Sequence, residues 1–293
     1  DVQTFSARRQ EVAAQVSQTL SRGLTAQARF AFRRNAIDTN TLAVNFPPDL
    51  VPIFARPVRV GIVSGTLIRD RRDDPIDARR GTYNYFDVGF ASRNFGGETA
   101  FLRVLGRNSS YYRIGRDLVF ARSIAFGWQQ NLDRGGRPED IPLAERIFSG
   151  GGSSHRGFPE NQAGPRDLTT GFPVGGGGQL FNNLELRFPL IGEFLGGVVF
   201  HDAGNVYTSL TKISLRPTQR NIQDFNYMVH AAGIGFRLRT PVGPVRADFA
   251  YVPNAPKFFG FRGTREELIS GGGERLEQKL SWFQFHISLG QAF

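Results

Sequence analysis

The chain has 293 residues, of which 36 are Lys or Arg and 26 are Asp or Glu, so its formal net charge is +10. It contains no cysteine, which excludes disulfides, cysteine-ligated metals and thiol nucleophiles. A content of 35 glycines and 27 phenylalanines, with one methionine, favours many-stranded β-structure over a helical soluble enzyme. The chain has no run of about 18 apolar residues, which excludes helical membrane spans.

The distribution of the basic residues indicates which partners to expect. They are scattered singly among aromatic residues and form no run of five or more like charges. We therefore expect no nucleic-acid partner. Anionic lipid head groups or a water-filled polar lumen would make use of the same charge. The four histidines have no ligand spacing, so we also expect no metal site.

Apolar and polar residues alternate with a period of two in one segment after another, which is typical of strands with two unlike faces. Alternation alone would also fit a soluble β-sandwich whose apolar face points inward. Several segments, however, keep the pattern for 10 to 13 residues. This is close to the ~9–11 residues that cross a bilayer and longer than the ~5–6 usual in soluble strands. The sequence therefore predicts an all-β fold, an antiparallel transmembrane β-barrel of the outer-membrane type. The candidate strands span 9–20, 23–34, 58–69, 82–93, 98–112, 117–129, 178–189, 196–206, 228–239, 244–253 and 282–293.

The last candidate strand shows the alternation most clearly. Phe283, Phe285, Ile287, Leu289 and Phe293 share one face, while smaller or polar residues take the other. Eleven strands is an odd number, whereas bacterial single-chain barrels close with an even one. The odd count therefore indicates a missed strand or a chain that lacks its beginning. The chain opens without a charged and apolar leader, so we expect it to be processed or cut from something longer.

One connection, at about 130–177, is far longer than an ordinary loop and is rich in glycine, proline and charge. Connections of this length are usually functional or disordered. The hairpin that follows it carries two carboxylates. If that hairpin turns around residues 192–195, opposed residues have numbers that sum to 387, which places Glu185 opposite Asp202. Alternation puts both side chains on the polar face.

Two opposed carboxylates repel each other unless a cation, a proton or solvent lies between them. We favour a structural clamp that receives an arginine, because the guanidinium presents a fork of donors suited to carboxylates. A paired-acid catalytic site and ordinary solvated lumen charges are the alternatives.

The donor for such a clamp lies in the long connection, at His155-Arg156-Gly157-Phe158. The segment 151–166 resembles the sixth-loop signature of the outer-membrane assembly factor superfamily of BamA and TamA type. The core of that signature is Val or Ile followed by Arg-Gly-Phe or Arg-Gly-Tyr, so His155 is a departure. Phe200-His201-Asp202-Ala203-Gly204 is similar to the family's Phe-x-Asp-x-Gly strand motif, and 233–248 to its penultimate hairpin. The terminal Phe293 resembles its C-terminal assembly signal, and the matches together span roughly 60–293.

Members of that family have sixteen strands preceded by periplasmic POTRA domains. The resemblance therefore implies that 1–293 is a C-terminal transmembrane barrel domain with about 11–12 of the sixteen strands, without the first strands and the POTRA domains. It also implies that the long extracellular loop folds into the lumen, where its arginine meets acidic residues of the inner wall. The clamp residues carried over in this way are Arg156, Gly157, Phe158, Glu185, Asp202 and Gly204.

In that family the first and last strands pair poorly, and an incoming strand can add to the exposed edge. Here one lip of this seam would be formed by the last strand, with Phe283, Phe285, Ile287, Leu289 and Phe293. The implied function is folding and insertion of β-barrel or autotransporter clients in the bacterial outer membrane, with no enzymatic activity and no cofactor. We expect Arg156→Ala to impair it more than Arg166→Ala, because only the first would lose a clamp.

The expected partners are outer-membrane lipids and lipopolysaccharide, unfolded β-barrel clients and periplasmic accessory subunits. A two-partner secretion exporter, which passes an unfolded chain through its pore, is an alternative function. A membrane barrel that anchors a fused patatin-like lipase and a passive porin are others. A porin would not need the arginine clamp.

Overall fold

The computed structural model describes residues 7–37, 57–192, 194–240, 243–262, 274–290 and 293. These residues form thirteen strands, and all strand pairs are antiparallel. The strands are β1 Ala7–Ser21, β2 Leu24–Ile37, β3 Val58–Asp70, β4 Gly81–Ala91, β5 Phe101–Ile114, β6 Leu118–Asn131, β7 Gly178–Ile191, β8 Leu195–Tyr207, β9 Val229–Thr240, β10 Gly243–Tyr251, β11 Lys257–Arg262, β12 Glu274–Lys279 and β13 Phe283–Leu289.

Eleven of these strands form one sheet, in the order β1 to β10 followed by β13. β11 and β12 form a separate hairpin within the connection between β10 and β13. Within the described residues, β1 and β13 each have one sheet neighbour, so the sheet is an incomplete barrel. The all-β antiparallel barrel and its eleven predicted strands are confirmed. The prediction lacks β11 and β12, because both are short and β12 is mostly charged or polar rather than alternating.

The two faces of the sheet have opposite chemistry. Large apolar side chains on the outer face are exposed, as in a barrel that meets lipid. Charged and polar side chains on the inner face are buried, the reverse of a soluble protein. The exposed set includes Val12, Val16, Phe30, Val63, Leu67, Phe86, Phe90, Leu186, Val199, Ile234, Phe236 and Phe249. The buried set includes Asp87, Ser109, Ser123, Glu185, Arg187, Asp202, Arg237, Arg246 and Asp248.

The connection between β6 and β7, residues 132–177, lies inside the curved sheet, and we call it the long loop. It contacts β2 through Glu145 and β8 through Arg156, two strands that are far apart in the sheet. Phe158 and Ala163 of the loop belong to the same buried apolar cluster as Phe181, Phe200, Val229 and other wall residues. The wall therefore packs around the loop as around a core.

Four 3-10 helices are the helical elements of the described residues: Arg93–Phe95, Pro138–Asp140, Leu143–Glu145 and Leu210–Lys212. Two of them lie in the long loop. No helix in the described ranges is long and apolar enough to cross a membrane.

The register of the β7–β8 hairpin differs from the predicted one. Glu185 is paired with Phe200, and Asn183 with Asp202, so opposed residues sum to 385 rather than 387. The pairing slips between Pro189 and Ile191, where proline has no N–H to donate to the ladder. The predicted direct opposition of Glu185 and Asp202 is therefore wrong. A slip of two leaves each side chain on its predicted face, because the side-chain period of a strand is two.

The C-terminal residue also departs from its predicted face. β13 ends at Leu289, and Gly290 follows with a positive φ of 88°. The Phe293 ring is half-buried and stacks on Tyr111 of β5 at 6.3 Å, and the Tyr111 hydroxyl donates to the Phe293 carbonyl at 2.6 Å. Tyr111 is buried together with Ala78 and Ala121 against this ring. Phe293 therefore does not continue the exposed face of β13.

Candidate functional site

Arg156 binds two carboxylates of the inner wall. Its Nε and Nη2 donate to Asp202 Oδ2 and Oδ1 at 2.8 and 2.7 Å, and its Nη1 donates to Glu185 Oε1 at 2.6 Å. The Arg156 backbone N–H also donates to Asp202 Oδ2, at 2.9 Å. The register puts Glu185 and Asp202 diagonally across the hairpin, with the guanidinium between them. We call these three residues the clamp.

The surroundings of the clamp favour the charged guanidinium. Arg156 is 1% exposed, and its Cζ lies 3.5 Å from the centre of the Phe200 ring. Burial by itself disfavours the charge, but Asp202 and Glu185 outweigh it and raise the pKa of Arg156 above its usual value. A bidentate contact with one carboxylate and a second contact with another is the geometry for which arginine is suited and lysine is not.

The clamp belongs to a larger buried cluster of charges. Arg187 Nε donates to Glu185 Oε2 at 2.8 Å, and Arg237 Nη1 donates to Asp248 Oδ1 at 2.7 Å. Each of these carboxylates therefore has a cation at hydrogen-bond distance, as buried charges require. The alternation of β9 and β10 already puts Arg237 and Asp248 on the polar face. The pairing between them depends on the register between the two strands.

The residues on either side of Arg156 fit closely against the wall. Phe158 is 1% exposed and meets the His155 ring edge-on at 5.0 Å. A side chain at Gly157 would bring its Cβ to 2.9 Å from both Ala231 Cβ and His155 Cε1. Only glycine therefore allows this approach between loop and wall.

Gly204 of β8 lies two residues after Asp202, where the backbone of β7 leaves no room for a side chain. Its φ is +148°, and a Cβ at this position would lie 2.2 Å from the Leu180 carbonyl oxygen of β7. Such a distance is incompatible with any side chain. The structure thus places all six predicted clamp residues in one region, with Gly204 acting through the backbone rather than by contact with Arg156.

The last strand contacts the loop from its inner face. His286 Nε2 of β13 lies 2.9 Å from the Arg156 carbonyl oxygen. On the neighbouring strand β10, the Arg246 guanidinium donates to the Gly152 carbonyl at 3.2 Å. Phe283, Phe285, Ile287 and Leu289 point away from the loop, and all four are more than half exposed. These four predicted seam residues share the outer face of β13, whereas Phe293 lies at Tyr111.

Arg166, the residue chosen for comparison with Arg156, also makes specific contacts. It is buried, donates to the Gly171 carbonyl and to Gln162 Oε1 at 2.9 and 3.0 Å, and lies over the Phe258 ring of β11. Burial without a carboxylate lowers the pKa of Arg166 to about 10. Arg166→Ala would remove these contacts, so Arg166 is no inert reference for Arg156.

Sequence reasoning missed Glu145, Arg187 and His286. Arg187 and His286 do lie on the polar face of alternating segments, so alternation could have selected them. For Glu145 no local pattern exists, because its partners are more than 100 residues away. The described residues contain no group of three or more His, Asp or Glu side chains placed to hold a metal ion.

With this geometry in place, similarity to known proteins identifies the class. The Omp85 superfamily domain matches residues 55–293, which is most of the chain. The chain therefore belongs to the Omp85 superfamily, a family of outer-membrane barrels, and its place is the bacterial outer membrane.

Two known proteins similar to this chain are both BamA proteins. A curated outer membrane protein assembly factor BamA from Nitratidesulfovibrio vulgaris is 28% identical over 189 residues, covering 62% of this chain and 21% of the relative. The crystal structure of BamA from Haemophilus ducreyi lacking POTRA domains 1–3 superposes with a TM-score of 0.67 at 15% identity. That match covers 96% of this chain and 54% of the solved chain. The chain thus spans about a fifth of the curated relative and about half of the solved one, and its resemblance to the BamA and TamA type is confirmed.

Proposed function

We propose that this chain is the C-terminal barrel part of an outer-membrane protein assembly factor, acting on unfolded β-barrel or autotransporter clients. The longer protein would carry POTRA domains and further strands ahead of residue 1. In this proposal the long loop enters the lumen from the extracellular side, and lipopolysaccharide, outer-membrane lipids and periplasmic accessory subunits are its other partners. The activity is non-enzymatic and needs no cofactor.

The observation that carries the proposal is the clamp. Arg156 is buried, makes three side-chain hydrogen bonds to two carboxylates, and comes from a loop rather than from the wall. Desolvating three charges is costly, so such a cluster does little for stability by itself. It does specify one position for the loop. A barrel that only passes small solutes would not need this clamp.

The last strand bears on the second half of the proposal, in which a client strand adds at the seam. The outer face of β13 is apolar, and at the seam its edge would meet the first strand of the longer protein. An unpaired edge offers backbone donors and acceptors to an incoming strand. The loop contacts the inner face of the same strand, where His286 meets the Arg156 carbonyl. Release of Arg156 from its carboxylates would therefore also affect the position of β13.

The proposal is tested with the full-length protein reconstituted in lipid vesicles. Folding of an unfolded outer-membrane client is followed by its heat-modifiable migration in gels. We expect Arg156→Ala and Arg156→Lys to lower the folding rate roughly tenfold or more, because lysine cannot contact both carboxylates as a fork.

The matched control is Arg93→Ala, which removes an exposed ion pair with Asp133 at the rim. This variant should fold clients at the wild-type rate, since exposed pairs contribute little. Equal rates for Arg156→Ala and the wild type would reject the clamp's role. Transport of an unfolded soluble chain across the vesicle, without client insertion, would favour a secretion exporter instead.

A further inference from the structure

The long loop is held at a second place, where its 3-10 helix Leu143–Glu145 meets strand β2. Glu145 Oε2 accepts a hydrogen bond from Arg33 Nη2 at 2.7 Å, and its other oxygen accepts one from the Asn35 amide. Glu145, Arg33 and Asn35 are each 5–6% exposed. Each carboxylate oxygen therefore accepts a hydrogen bond from β2, far along the sheet from the clamp.

The loop backbone at this point is bound as well. Gln129 of β6 donates its side-chain amide to the Glu145 carbonyl at 2.7 Å. Arg33 lies 3.8 Å from Glu11 of β1, which in turn pairs with Arg29. The contact at Glu145 is thus part of an ion chain that reaches the first strand of the sheet.

The side chains of Glu145 and Arg156 are bound by different parts of the wall, although the Glu145 backbone is bound at β6, next to β7. Sheet order separates β2 from β7 by five strand spacings, which is about 24 Å along the curved sheet at ~4.8 Å per strand. Arg156 lies eleven positions after Glu145 in sequence, and a chain of that length can reach up to ~36 Å. The segment between them is therefore long enough to span the distance between β2 and β7.

We propose that Glu145, with Arg33 and Asn35, is a second anchor of the long loop, with its charges reversed relative to the clamp. At the clamp the loop supplies the cation and the wall the anions, whereas at this anchor the loop supplies the anion and the wall the cation. The loop acts as a crossbar that holds the β2 wall and the β7–β8 wall at a fixed separation. Glu145 is a positioning residue, and its effect on client assembly rests on the proposed function.

Because the loop is anionic at one anchor and cationic at the other, it can bind the two walls in only one orientation. Reversing it would bring Glu145 to the carboxylates of Glu185 and Asp202, and Arg156 to Arg33. Like charges at buried sites are strongly disfavoured. The two anchors together therefore specify which part of the loop meets which wall, which one ion cluster alone would not do.

The anchor is tested by cysteine labelling of the full-length protein, since residues 1–293 contain no cysteine to interfere. One reporter is Leu143→Cys, beside the anchor, and the other is Ala163→Cys, on the clamp side of the loop; both positions are buried. In vesicles, Glu145→Ala and Arg33→Ala should each speed maleimide labelling at 143 by roughly tenfold or more. Labelling at 163 should stay at the wild-type rate, because the clamp still holds that part.

The double variant Glu145→Ala/Arg33→Ala should label no faster than the faster single variant, since partners in one interaction are not additive. The control is Glu277→Gln, which breaks an exposed pair with Lys257 and should leave both reporters unchanged. Should Glu145→Ala fail to reach the folded form, Glu145→Gln is measured in the same way.

An unchanged rate at 143 in the anchor variants would overturn the proposal, and so would an equal rise at both reporters. These labelling rates do not depend on client folding. Loss of the anchor and loss of the assembly activity are therefore told apart.

Discussion

His155 is held as a neutral imidazole within the clamp region. Its Nε2 lies 3.0 Å from the Val229 carbonyl and is the donor there, while its Nδ1 accepts a hydrogen bond from the Gly157 N–H at 3.1 Å. A proton on Nδ1 would face another N–H. Burial lowers the pKa of His155, and the nearby Asp202 offsets this only in part.

This environment predicts a pH dependence of stability. A folded-state pKa below the ordinary value of about 6.5 means that the unfolded loop binds the proton more tightly. Stability is then complete above about pH 6.5 and falls as the pH drops below it, by up to about 1.4 kcal/mol per pH unit. Thermal midpoints of gel migration between pH 8 and pH 5 would measure this.

His155→Val is the matching variant, because valine is apolar and does not titrate. Its midpoint should fall less than that of the wild type across the same pH range. Parallel curves for the two proteins would show that the pKa of His155 is the same in the folded and the unfolded protein, and would contradict the prediction.

At the residue scale, the sequence is informative where a residue lies in an alternating strand or in a local motif. Arg156 lies in the loop motif, Glu185 in an alternating strand and Asp202 in both, so their chemistry could be predicted. Glu145 and His286 lie in contacts that span more than 100 residues. Alternation puts His286 on the polar face, but neither neighbourhood indicates which distant residue is the partner, since only the folded sheet brings the segments together.

Among the elements, the β7–β8 hairpin shows what alternation can and cannot predict. The period of two correctly assigns the faces, but it does not detect the slip at Pro189 to Ile191 that sets the register. The β11–β12 hairpin was missed for a related reason, since Glu274–Lys279 offers no apolar face to count.

The register can be checked by disulfide formation on the outer face. In the structure Leu184 is paired with His201, whereas the predicted sum of 387 would pair it with Ala203. Opposed strand residues have Cα separations of about 4.5–5.5 Å, within disulfide range. Oxidation should therefore cross-link Leu184→Cys/His201→Cys efficiently.

Leu184→Cys/Ala203→Cys serves as the control pair and should remain mostly reduced. Mass spectrometry of non-reduced peptides separates the two products. Efficient cross-linking of the control pair alone would restore the predicted register and refute the observed one.

On the scale of the whole molecule, the protein is apolar outside and charged inside, with its interior occupied by its own loop. The barrel class follows from strand length and alternation, because these depend on the bilayer thickness and the pleat. The inward position of the loop does not follow from composition. It could be expected only from the resemblance carried by the Arg156 motif.

An occupied lumen predicts low conductance. In planar bilayers, replacing residues 150–164 of the full-length protein by a short glycine and serine linker should raise the single-channel conductance severalfold, because this segment fills the space beside the clamp. Replacing 134–137, a mostly exposed turn, with glycines should leave the conductance unchanged. Equal conductance of both variants and the wild type would mean that something else blocks the lumen.

The spacing of the loop's partners along the chain also sets an order of events during folding. Glu145 and Arg33 are 112 residues apart in sequence, and Arg156 and His286 are 130 residues apart. The partners of the loop therefore lie on both sides of it along the chain. Contacts of such sequence separation form late, because the intervening chain must first be organised. β2 and the β7–β8 hairpin must both be in place before the loop can bridge them. The loop therefore binds the wall late in folding, once these strands are in place. In a barrel with a misregistered strand, the loop would stay unbound.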